Sequence, residues 1–453
     1  MKIPTLSVKH MSAVLLATVL AACAQPPAPT AAPAKPAEPA KPAEAAKPAA
    51  GNVEVELLFP VAVGGPIAKI MDDYMARFNK ANPGITAKAT FAGGYADVLT
   101  KIQTTVQGGG KPAPVAVLLS TDLQSLLDAD LLEPLDGYLA KAGDAYVNDF
   151  FPAFMLNSKD KNGKVWGVPF QRSTPVMYYN KAHFKEVELD PEKPPKNWAE
   201  LLDASKKLTK PNGDRWGLQV PSDGFPYWLF QAGPISLGKN VVGAEPNKVF
   251  FNTPESLEAL DFFVSLSQKD KVHPTGVIPW ATTPDAFLAG KASMIYHTTG
   301  SLTNILSKAT NPADVGVAFI PGKSGFGVPT GGGNLYIFKA APQEQKDAAW
   351  KLMQFLSSPE LAAEWSRDTG YIASRKSAYD TEVMKKLVAE KPQYGVARDQ
   401  LQYAQKELTS HQGAQIQQIY GNAIQAAVEG KKDSKTALAD AQTAADKVLS
   451  QFK

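Results

Sequence analysis

Aromatic and hydroxyl-bearing residues of this chain concentrate beside glycines and prolines, where loops and the ends of elements are expected. Aromatic faces stack on the CH faces of sugars and polyols or on cations. Hydroxyls, amides and free backbone N–H groups orient polar ligands. These residues are Tyr95 after Gly93-Gly94, Trp198 after Pro194-Pro195, Phe225-Pro226-Tyr227-Trp228, Thr298-Thr299-Gly300-Ser301 and Gly331-Gly332-Gly333-Asn334. Together they predict a polar ligand cleft, although Tyr227 and Trp228 are equally compatible with a hydrophobic core.

The sequence contains no complete motif for catalysis or metal binding. Gly322-Lys323-Ser324 resembles the end of a phosphate-binding loop, but Val317 stands where that loop needs its first glycine. The five histidines have no metal-ligand spacing, and Cys23 is the only cysteine. No H-E-x-x-H or G-x-S-x-G motif occurs. We therefore predict no catalytic residue, no metal site and no cofactor.

The elements that would hold these loops alternate between strand and helix in the first part of the chain. Ile67–Asn79 carries an apolar stripe at helical spacing, and Val115–Leu119 is a purely apolar strand. The other elements predicted here are strands at Val53–Pro60 and Ile85–Phe91 and a helix at Tyr95–Gln107. This alternation predicts a parallel, doubly wound sheet that binds ligands at the carboxyl ends of its strands.

The rest of the chain mixes helical patterns with short apolar strands. Thr253-Pro254-Glu255 puts a threonine at the cap and a proline in the first turn of one helix. The predicted helices cover residues 198–210, 254–269, 298–308, 348–356 and 359–365, and a helical stretch runs from about Gln412 to the end. The predicted strands are Val176–Tyr179, Val315–Ile320 and Leu335–Phe338.

The amino-terminal residues indicate the compartment. Lys2 and Lys9 flank the start of an apolar run, Met11 to Ala22, which suits a signal peptide and is too short for a permanent membrane helix. The run ends Leu20-Ala21-Ala22-Cys23, which resembles the lipobox of bacterial lipoproteins. An exported chain with one cysteine has no internal disulfide. We therefore predict a signal peptide over residues 1–22 and lipidation of Cys23.

Residues 23–51 are rich in alanine and proline and predict an extended tether without a core of its own. The folded body from residue 52 to the end is long enough for two domains. The net charge of +3 falls to about +1 in the mature chain, because the leader contains two lysines and no acidic residue. Nothing in that balance indicates nucleic acid as a partner.

Several segments resemble the extracellular solute-binding proteins of bacterial ABC importers. PFQRSTPVMYYNK, from Pro169 to Lys181, resembles the crossing between lobes in that family. The others are LDPEKPPKNWAELLDASKKL (Leu189–Leu208), AGKASMIYHTTGSLTNI (Ala289–Ile305), GGGNLYIF (Gly331–Phe338) and SSPELAAEWSRDTGYIASRKSAYD (Ser357–Asp380). These segments span most of the body in the family's order. Within the family, the chain looks most like the glycerol-3-phosphate-binding branch.

The resemblance implies an α/β fold of two lobes, like that of the type II periplasmic binding proteins. Each lobe would be a sheet flanked by helices, with the ligand cleft between the lobes. The first lobe would take residues 52–170 and 325–370, and the second 175–320 and 376–453. The resemblance also implies a monomer that closes on a small polar solute and delivers it to the transmembrane subunits of an ABC permease. A lipid anchor would hold it at the outer face of the cell membrane, or it would lie in the periplasm.

Carried over residue by residue, the family's ligand contacts fall on Tyr95, Ser173, Trp198, Thr298, Gly332 and Tyr371. Trp228 adds a ring from the aromatic cluster. The acidic residue that the family has after its third strand falls on Ser120, with Asp122 close by. The arginine that holds a phosphate in the glycerol-3-phosphate branch falls around Leu408–Ser410, where this chain has none. Arg172 or Lys406 would have to replace it, because a buried phosphate without a cation is costly.

Three functions stay open at this point. The first is binding of a glycerol phosphate or its diester. The second is binding of a neutral mono- or oligosaccharide through Trp198, Trp228 and Tyr95. The third is a lipid-anchored enzyme or scaffold, for which the sequence contains no recognisable motif.

Overall fold

A computed structural model describes residues 51–452 of the chain. The predicted signal peptide, the lipidation site at Cys23 and nearly all of the Ala/Pro-rich tether lie outside the described residues. Among residues 51–452, no helix has both the length and the apolar character needed to span a membrane.

The described chain consists of helices and short strands joined by loops. The strands are β1 (Val53–Phe59), β2 (Ile85–Phe91), β3 (Val115–Leu119), β4 (Val168–Ser173), β5 (Pro175–Asn180), β6 (Trp216–Gln219), β7 (Ala292–Thr298), β8 (Val315–Ala318), β9 (Val328–Pro329), β10 (Gly331–Ile337) and β11 (Ala404–Gln405). The helices are α1 (Ile67–Ala81), α2 (Tyr95–Gln107), α3 (Leu123–Asp128), α4 (Asp136–Ala142), α5 (Asp144–Asn148), α6 (Pro152–Met155), α7 (Lys181–Glu186), α8 (Trp198–Leu208), α9 (Pro226–Ser236), α10 (Pro254–Gln268), α11 (Thr283–Leu288), α12 (Leu302–Lys308), α13 (Gln343–Leu356), α14 (Pro359–Thr369), α15 (Glu382–Glu390), α16 (Gln393–Gln400), α17 (Gly413–Val428) and α18 (Ser434–Leu449).

The first sheet contains five strands in the order β2-β1-β3-β10-β4. Strands β1, β2 and β3 are parallel, as predicted. Strand β10 is antiparallel to both β3 and β4, so the prediction of a fully parallel sheet is wrong for that half. Strands β4 and β10 come from distant parts of the chain, and the alternation of neighbouring elements carries no information about their direction.

The second sheet has the order β6-β7-β5-β8. Strand β5 is antiparallel to β7 and β8, whereas β6 and β7 are parallel. Only Thr174 separates β4 of the first sheet from β5 of the second, so the chain crosses between the lobes at that residue. A small parallel pair, β9 with β11, lies outside both sheets.

Each sheet is covered by helices on both faces. Along β5, Met177 and Tyr179 belong to a core cluster with α8, α9, α10, α17 and α18. The alternate residues Val176 and Tyr178 belong to a different cluster with α12, α14, α15 and α16. This two-residue alternation is what strand geometry produces. The same alternation occurs along β3, which explains why that strand is apolar throughout.

Helix boundaries follow local signals in most places. In α10, the Thr253 hydroxyl accepts a hydrogen bond from the Ser256 N–H at 3.1 Å, and Pro254 is the first helical residue, as predicted. The helix predicted at 298–308 begins only at Leu302. Its predicted start is instead the end of β7, a strand in which every residue is buried, followed by a short 3-10 turn.

Two elements lie at the predicted boundaries between the lobes. Strand β4 of the first sheet continues to Ser173, past the predicted limit at residue 170. Helix α14 gives Trp365 to the first-lobe core and Ala363 to a second-lobe cluster. The exact lobe limits along the chain stay a prediction.

Candidate functional site

A cavity is lined by residues of both lobes at the ends of several elements. It holds about 350 Å³ of empty space, counting the part that opens to solvent. The lining residues are Ala62, Val63, Tyr95, Leu119, Ser173, Phe225, Trp228, Trp280, Thr298, Gly332, Tyr371 and Glu407.

Six of the residues predicted to contact ligand meet in this cavity. They are Tyr95, Ser173, Trp228, Thr298, Gly332 and Tyr371. Ser173 and Thr298 are the last residues of β4 and β7, and Tyr95 is the first residue of α2. All three residues are buried, and Tyr95 also belongs to the first-lobe core cluster. The fold therefore brings these residues together, while their contact with a solute stays a prediction.

Two tyrosines supply phenol groups to the wall. Tyr95 Oη donates a hydrogen bond to Gln171 Oε1 at 2.9 Å. Burial raises the pKa of Tyr95 well above its usual value and that of Tyr371 to about 12. Both phenols therefore stay neutral and keep their O–H groups. Such groups suit a solute that carries hydroxyls or other uncharged oxygens.

Three rings from the second lobe form an aromatic wall, which we define as Phe225, Trp228 and Trp280. The Trp280 ring lies 5.0 Å from the Phe225 ring and 6.2 Å from the Trp228 ring, both in edge-to-face arrangements. Trp228 Nε1 donates to the Thr330 carbonyl at 2.8 Å. Trp280 Nε1 approaches the Ala62 carbonyl of the first lobe at 3.4 Å. The rings are thus fixed in orientation, which is what stacking on a sugar face requires.

Trp280 was not among the predicted site residues. Its ring stacks on the imidazole of His297 at 3.9 Å, and its backbone N–H donates to Asp223 Oδ1 at 2.5 Å. Burial lowers the pKa of His297 to about 4, so the imidazole under the tryptophan is neutral. The available signal was its position directly after Pro279, in a loop rich in proline and glycine.

Glu407 is another lining residue that was not among the predicted site residues. Tyr227 Oη donates to its Oε1 at 3.2 Å, and its Oε2 has no hydrogen-bond partner among the described residues. Burial raises the pKa of Glu407 to about 8, and the nearby Arg172 acts in the opposite direction. At neutral pH the carboxyl therefore keeps its proton. Glu407 directly precedes Leu408–Ser410, the segment on which the phosphate-holding arginine of the glycerol-3-phosphate branch falls.

Arg172 does not line the cavity. Its side chain is fully buried, and Nη1 donates to the Gly332 carbonyl at 3.2 Å and to Asn334 Oδ1 at 3.3 Å. The guanidinium also lies over the Phe154 ring at 5.1 Å. The arginine ties β4 to β10 behind the cavity wall. This corrects the expectation that Arg172 faces the solute.

Ser120, Asp122 and Lys406 also lie outside the cavity lining. Ser120 and Lys406 border a separate cavity of about 350 Å³, again including open space. Asp122 borders a groove that adjoins the cavity and shares Tyr95 with it. Burial raises the pKa of Asp122 to about 7. Neither predicted substitute for the missing arginine, Arg172 or Lys406, therefore reaches the cavity that the other predicted residues form.

Trp198 lies in the hydrophobic core of the second lobe. Its ring stacks on Phe262 with centroids 4.5 Å apart and planes 4° from parallel. Only 7% of the residue is exposed. It shares one face of α8 with Leu201 and Leu208, both buried. The side chain of Trp198 therefore packs in the core with the other buried residues of α8 and does not reach the cavity.

The buried carboxyls predict a pH dependence of folding stability. Burial raises the pKa of Glu407 from 4.5 to about 8 and that of Asp122 from 3.8 to about 7. The buried His297, His183 and His273 have lowered pKa values and act in the opposite direction below about pH 6.5. Above that pH they are neutral in both states, while the folded chain still binds carboxyl protons that the unfolded chain has released, so the free energy of unfolding should fall as the pH rises from about 6.5 to about 8. Urea unfolding followed by circular dichroism at about pH 7 and pH 8 measures this slope. Glu407→Gln should flatten it, and an unchanged slope in that variant would show that Glu407 titrates normally.

The described part of the chain was also searched for side chains that could bind a metal ion. Within residues 51–452, no three side chains of His, Cys, Asp or Glu are grouped so as to hold a metal ion.

Comparison with known proteins connects this geometry to a family. A family model described as bacterial extracellular solute-binding protein matches residues 73–394. The sn-glycerol-3-phosphate-binding periplasmic protein UgpB of Shigella flexneri serotype 5b is 28% identical over 425 residues, which is 89% of this chain and 95% of that protein. UgpB of Escherichia coli strain K12 is 27% identical over the same shares of the two chains.

Solved structures show the same fold. UgpB from Mycobacterium tuberculosis in complex with glycerophosphocholine matches with a TM-score of 0.77 and 24% identity, over 89% of this chain and 99% of that one. The sugar-binding protein MalE from Xanthomonas citri matches with a TM-score of 0.75 and 22% identity, over 88% of this chain and 98% of that one. At these identities the likeness concerns the fold. It confirms the predicted two-lobe α/β architecture.

Proposed function

Because this chain belongs to the bacterial extracellular solute-binding proteins, we propose that it captures an uncharged sugar or polyol between its two lobes as the binding component of an ABC importer. This is a family of transport proteins and not of enzymes. The solute would be delivered to the transmembrane subunits of a permease when the lobes have closed around it.

One observation carries the choice of an uncharged solute. The described residues that line the cavity include no lysine, arginine or histidine. They provide aromatic rings, hydroxyls, and the Glu407 carboxyl with one unpartnered oxygen. A phosphate buried without a cation loses its hydration without compensation. Sugar hydroxyls, in contrast, both donate to and accept from such groups while the ring faces stack on the aromatic wall.

A glycerol phosphate or its diester is the second candidate. It is favoured by the relatives, which are named sn-glycerol-3-phosphate-binding proteins and match this chain over 89% of its length. It is disfavoured by the position of the two cations proposed from the sequence. Arg172 lies behind the wall, and Lys406 borders another cavity.

Contacts between the lobes support closure around the solute. Trp280 and Trp228 belong to the second-lobe aromatic wall, and their indole N–H groups lie against the backbone carbonyls of Ala62 and Thr330, which fall within the predicted first lobe. We propose that the predicted lobes, 52–170 with 325–370 and 175–320 with 376–453, open by breaking these contacts. A solute that bridges both lobes then favours the closed form by its differential affinity for it.

A thermal-shift panel tests the proposed solute class. A ligand that binds only the folded protein raises the melting temperature in a concentration-dependent way. Glucose, galactose, mannose and their di- and trisaccharides form one arm, and glycerol-3-phosphate and glycerophosphocholine form the other. We expect a shift in the sugar arm. A shift in the phosphate arm alone would establish the second candidate, and turnover of any compound by the pure protein would point to an enzyme.

We further propose that Cys23 is lipidated and that residues 24–51 hold the body away from the outer face of the cell membrane. The support is the Leu20-Ala21-Ala22-Cys23 motif and the absence of a second cysteine in the sequence. Fractionation of cells that express a Cys23→Ser variant tests the anchor. A variant that stays in washed membranes would argue against it.

A further inference from the structure

Glu407 supplies the one carboxyl among the described residues that line the cavity. It lies just after β11, in a segment whose backbone is held by side-chain amides. Asn157 Oδ1 accepts a hydrogen bond from the Glu407 N–H at 3.0 Å, and Gln231 Oε1 accepts one from the Leu408 N–H at 3.1 Å. Gln231 Nε2 also donates to the Lys406 carbonyl at 3.0 Å. The protein itself therefore fixes the position of Glu407 in the cavity wall.

The two oxygens of this carboxyl have different surroundings. Oε1 accepts the hydrogen bond from Tyr227 Oη at 3.2 Å, whereas Oε2 is buried and has no partner among the described residues. The carboxyl keeps its proton at neutral pH, because burial raises the pKa of Glu407 to about 8. Since Oε1 is the acceptor, the proton lies on Oε2. The Oε2–H group is therefore a buried donor that lacks the acceptor such groups almost always have.

Charged and titratable side chains face Glu407 from five parts of the fold. They are Arg172 of β4, Asp122 before α3, Tyr95 of α2, Tyr227 of α9 and Tyr336 of β10. Burial raises the pKa of all three tyrosines and lowers that of Arg172 only to about 10. Burial raises the pKa of Asp122 to about 7, so among these groups Glu407 alone has a pKa near 8. Lys406, the neighbour in the chain, borders the separate cavity, and burial lowers its pKa.

We propose that Glu407 is a specificity-determining residue of the cavity, whose Oε2–H donates a hydrogen bond to an oxygen of the bound sugar or polyol. This inference rests on the proposed function and adds the protonation state in which the cavity binds its solute. The solute has to offer an acceptor at this position, so a group that carries only donors, such as an ammonium, does not fit there. Because a carboxylate has no proton to donate, ionisation of Glu407 opposes binding.

Calorimetry between pH 7 and pH 9.5 tests this role in the parent chain. The probe is the compound with the largest thermal shift among glucose, galactose, mannose and their di- and trisaccharides. We expect a constant affinity up to about pH 8 and then a loss of about tenfold for each further pH unit, because binding requires a proton that the free protein has released. Circular dichroism at each pH shows that the protein is folded. An affinity that stays constant or rises above pH 8 would overturn the proposal.

Two substitutions of Glu407 separate its proton from its size. Glu407→Gln keeps a donor that cannot ionise, so the loss of affinity above pH 8 should disappear. Glu407→Ala has no donor and should bind the same sugar about tenfold more weakly than Glu407→Gln at pH 7. Equal affinities of these two variants at pH 7 would show that the solute does not accept a hydrogen bond at this position.

Asp122→Asn is the matched control, since Asp122 is the other buried carboxyl with a raised pKa near the cavity. This variant should keep the alkaline loss of affinity. The loss should begin at a slightly lower pH, because the Asp122 charge helps to raise the pKa of Glu407. If Glu407→Gln retains the loss, or Asp122→Asn abolishes it, another group such as Lys406 titrates, and the inference is wrong while the proposed function stands. If no sugar binds at any pH, the proposed function is itself wrong.

Discussion

A Gly332→Ala variant is expected to lose at least about 3 kcal/mol of unfolding free energy, together with solute binding. Gly332 has φ +86°, a region that residues with a Cβ rarely adopt. A Cβ built there would lie 1.9 Å from the backbone carbonyl oxygen of Gln171 in β4. That oxygen is part of the backbone and cannot turn away. The strand pair β4–β10 would have to separate, and with it one wall of the cavity.

Gly325→Ala provides the control for this substitution. Gly325 lies in the loop before β9, has no positive φ, and a Cβ there would meet no atom within 4 Å. Its unfolding free energy should change by less than about 0.5 kcal/mol. Urea unfolding followed by circular dichroism compares the two variants with the parent chain. Equal midpoints for Gly332→Ala and Gly325→Ala would show that β4 and β10 are not packed as described.

Trp198→Ala is expected to lower the unfolding free energy by about 3–5 kcal/mol, because it removes a buried indole and leaves a cavity. The indole stacks on Phe262 inside the second-lobe core and lies outside the solute cavity. The folded fraction should therefore bind solute with unchanged affinity. Urea unfolding measures the first quantity, and calorimetry below the unfolding transition measures the second.

Trp280→Ala serves as the comparison for the binding measurement. Trp280 is partly exposed and lines the cavity. Its removal should weaken solute binding by about 1–3 kcal/mol, by analogy with other stacking losses. If Trp198→Ala lost affinity and kept its stability, the sequence-based expectation that Trp198 stacks on the solute would be restored.

Both tryptophans show where the sequence was informative and where it was not. Trp198 follows Pro194-Pro195 at a helix start and matches a ligand contact of the family, and both features favoured a binding role. Its spacing with Leu201 and Leu208 was equally visible and indicates the buried stripe of α8. Trp280 has no such partners in its own loop. Its neighbours His297 and Phe225 are brought to it only by the tertiary fold.

The predicted residues that line the cavity share a position in the fold, and their contact with a solute stays a prediction. Tyr95, Ser173 and Thr298 each lie at the end of an element, and the ends of strands and the starts of helices are where a sheet-based lobe presents polar groups. Arg172 failed because it is one residue before the end of β4. Successive residues of a strand point to opposite sides, so Ser173 faces the cavity while Arg172 points away from it.

The burial of Glu407 and the full extent of strand β10 could not be predicted locally, because both depend on contacts with distant parts of the chain. No local pattern shows that a glutamate after β11 will be enclosed by Tyr227, Arg172 and Asn157. The apolar run at Leu335–Phe338 was predicted as a strand, but its three leading glycines were not assigned to it. Glycines weaken strand patterns, and here close approach to Gln171 and Leu118 requires them.

The position of β10 also determines when the first lobe can be completed as the protein is made. Strand β10 lies between β3 and β4, yet the ribosome adds it only after every strand of the second sheet has been synthesised. Until residue 337 has been translated, β3 and β4 have no strand to join them, and the first sheet stays open on one side. Strand β10 is an interior strand of the first sheet, so that sheet can be completed only late in synthesis, and pairing between such distant segments is intrinsically slow. The strands of the second sheet end at Ala318, so the second sheet has all its strands before the first does.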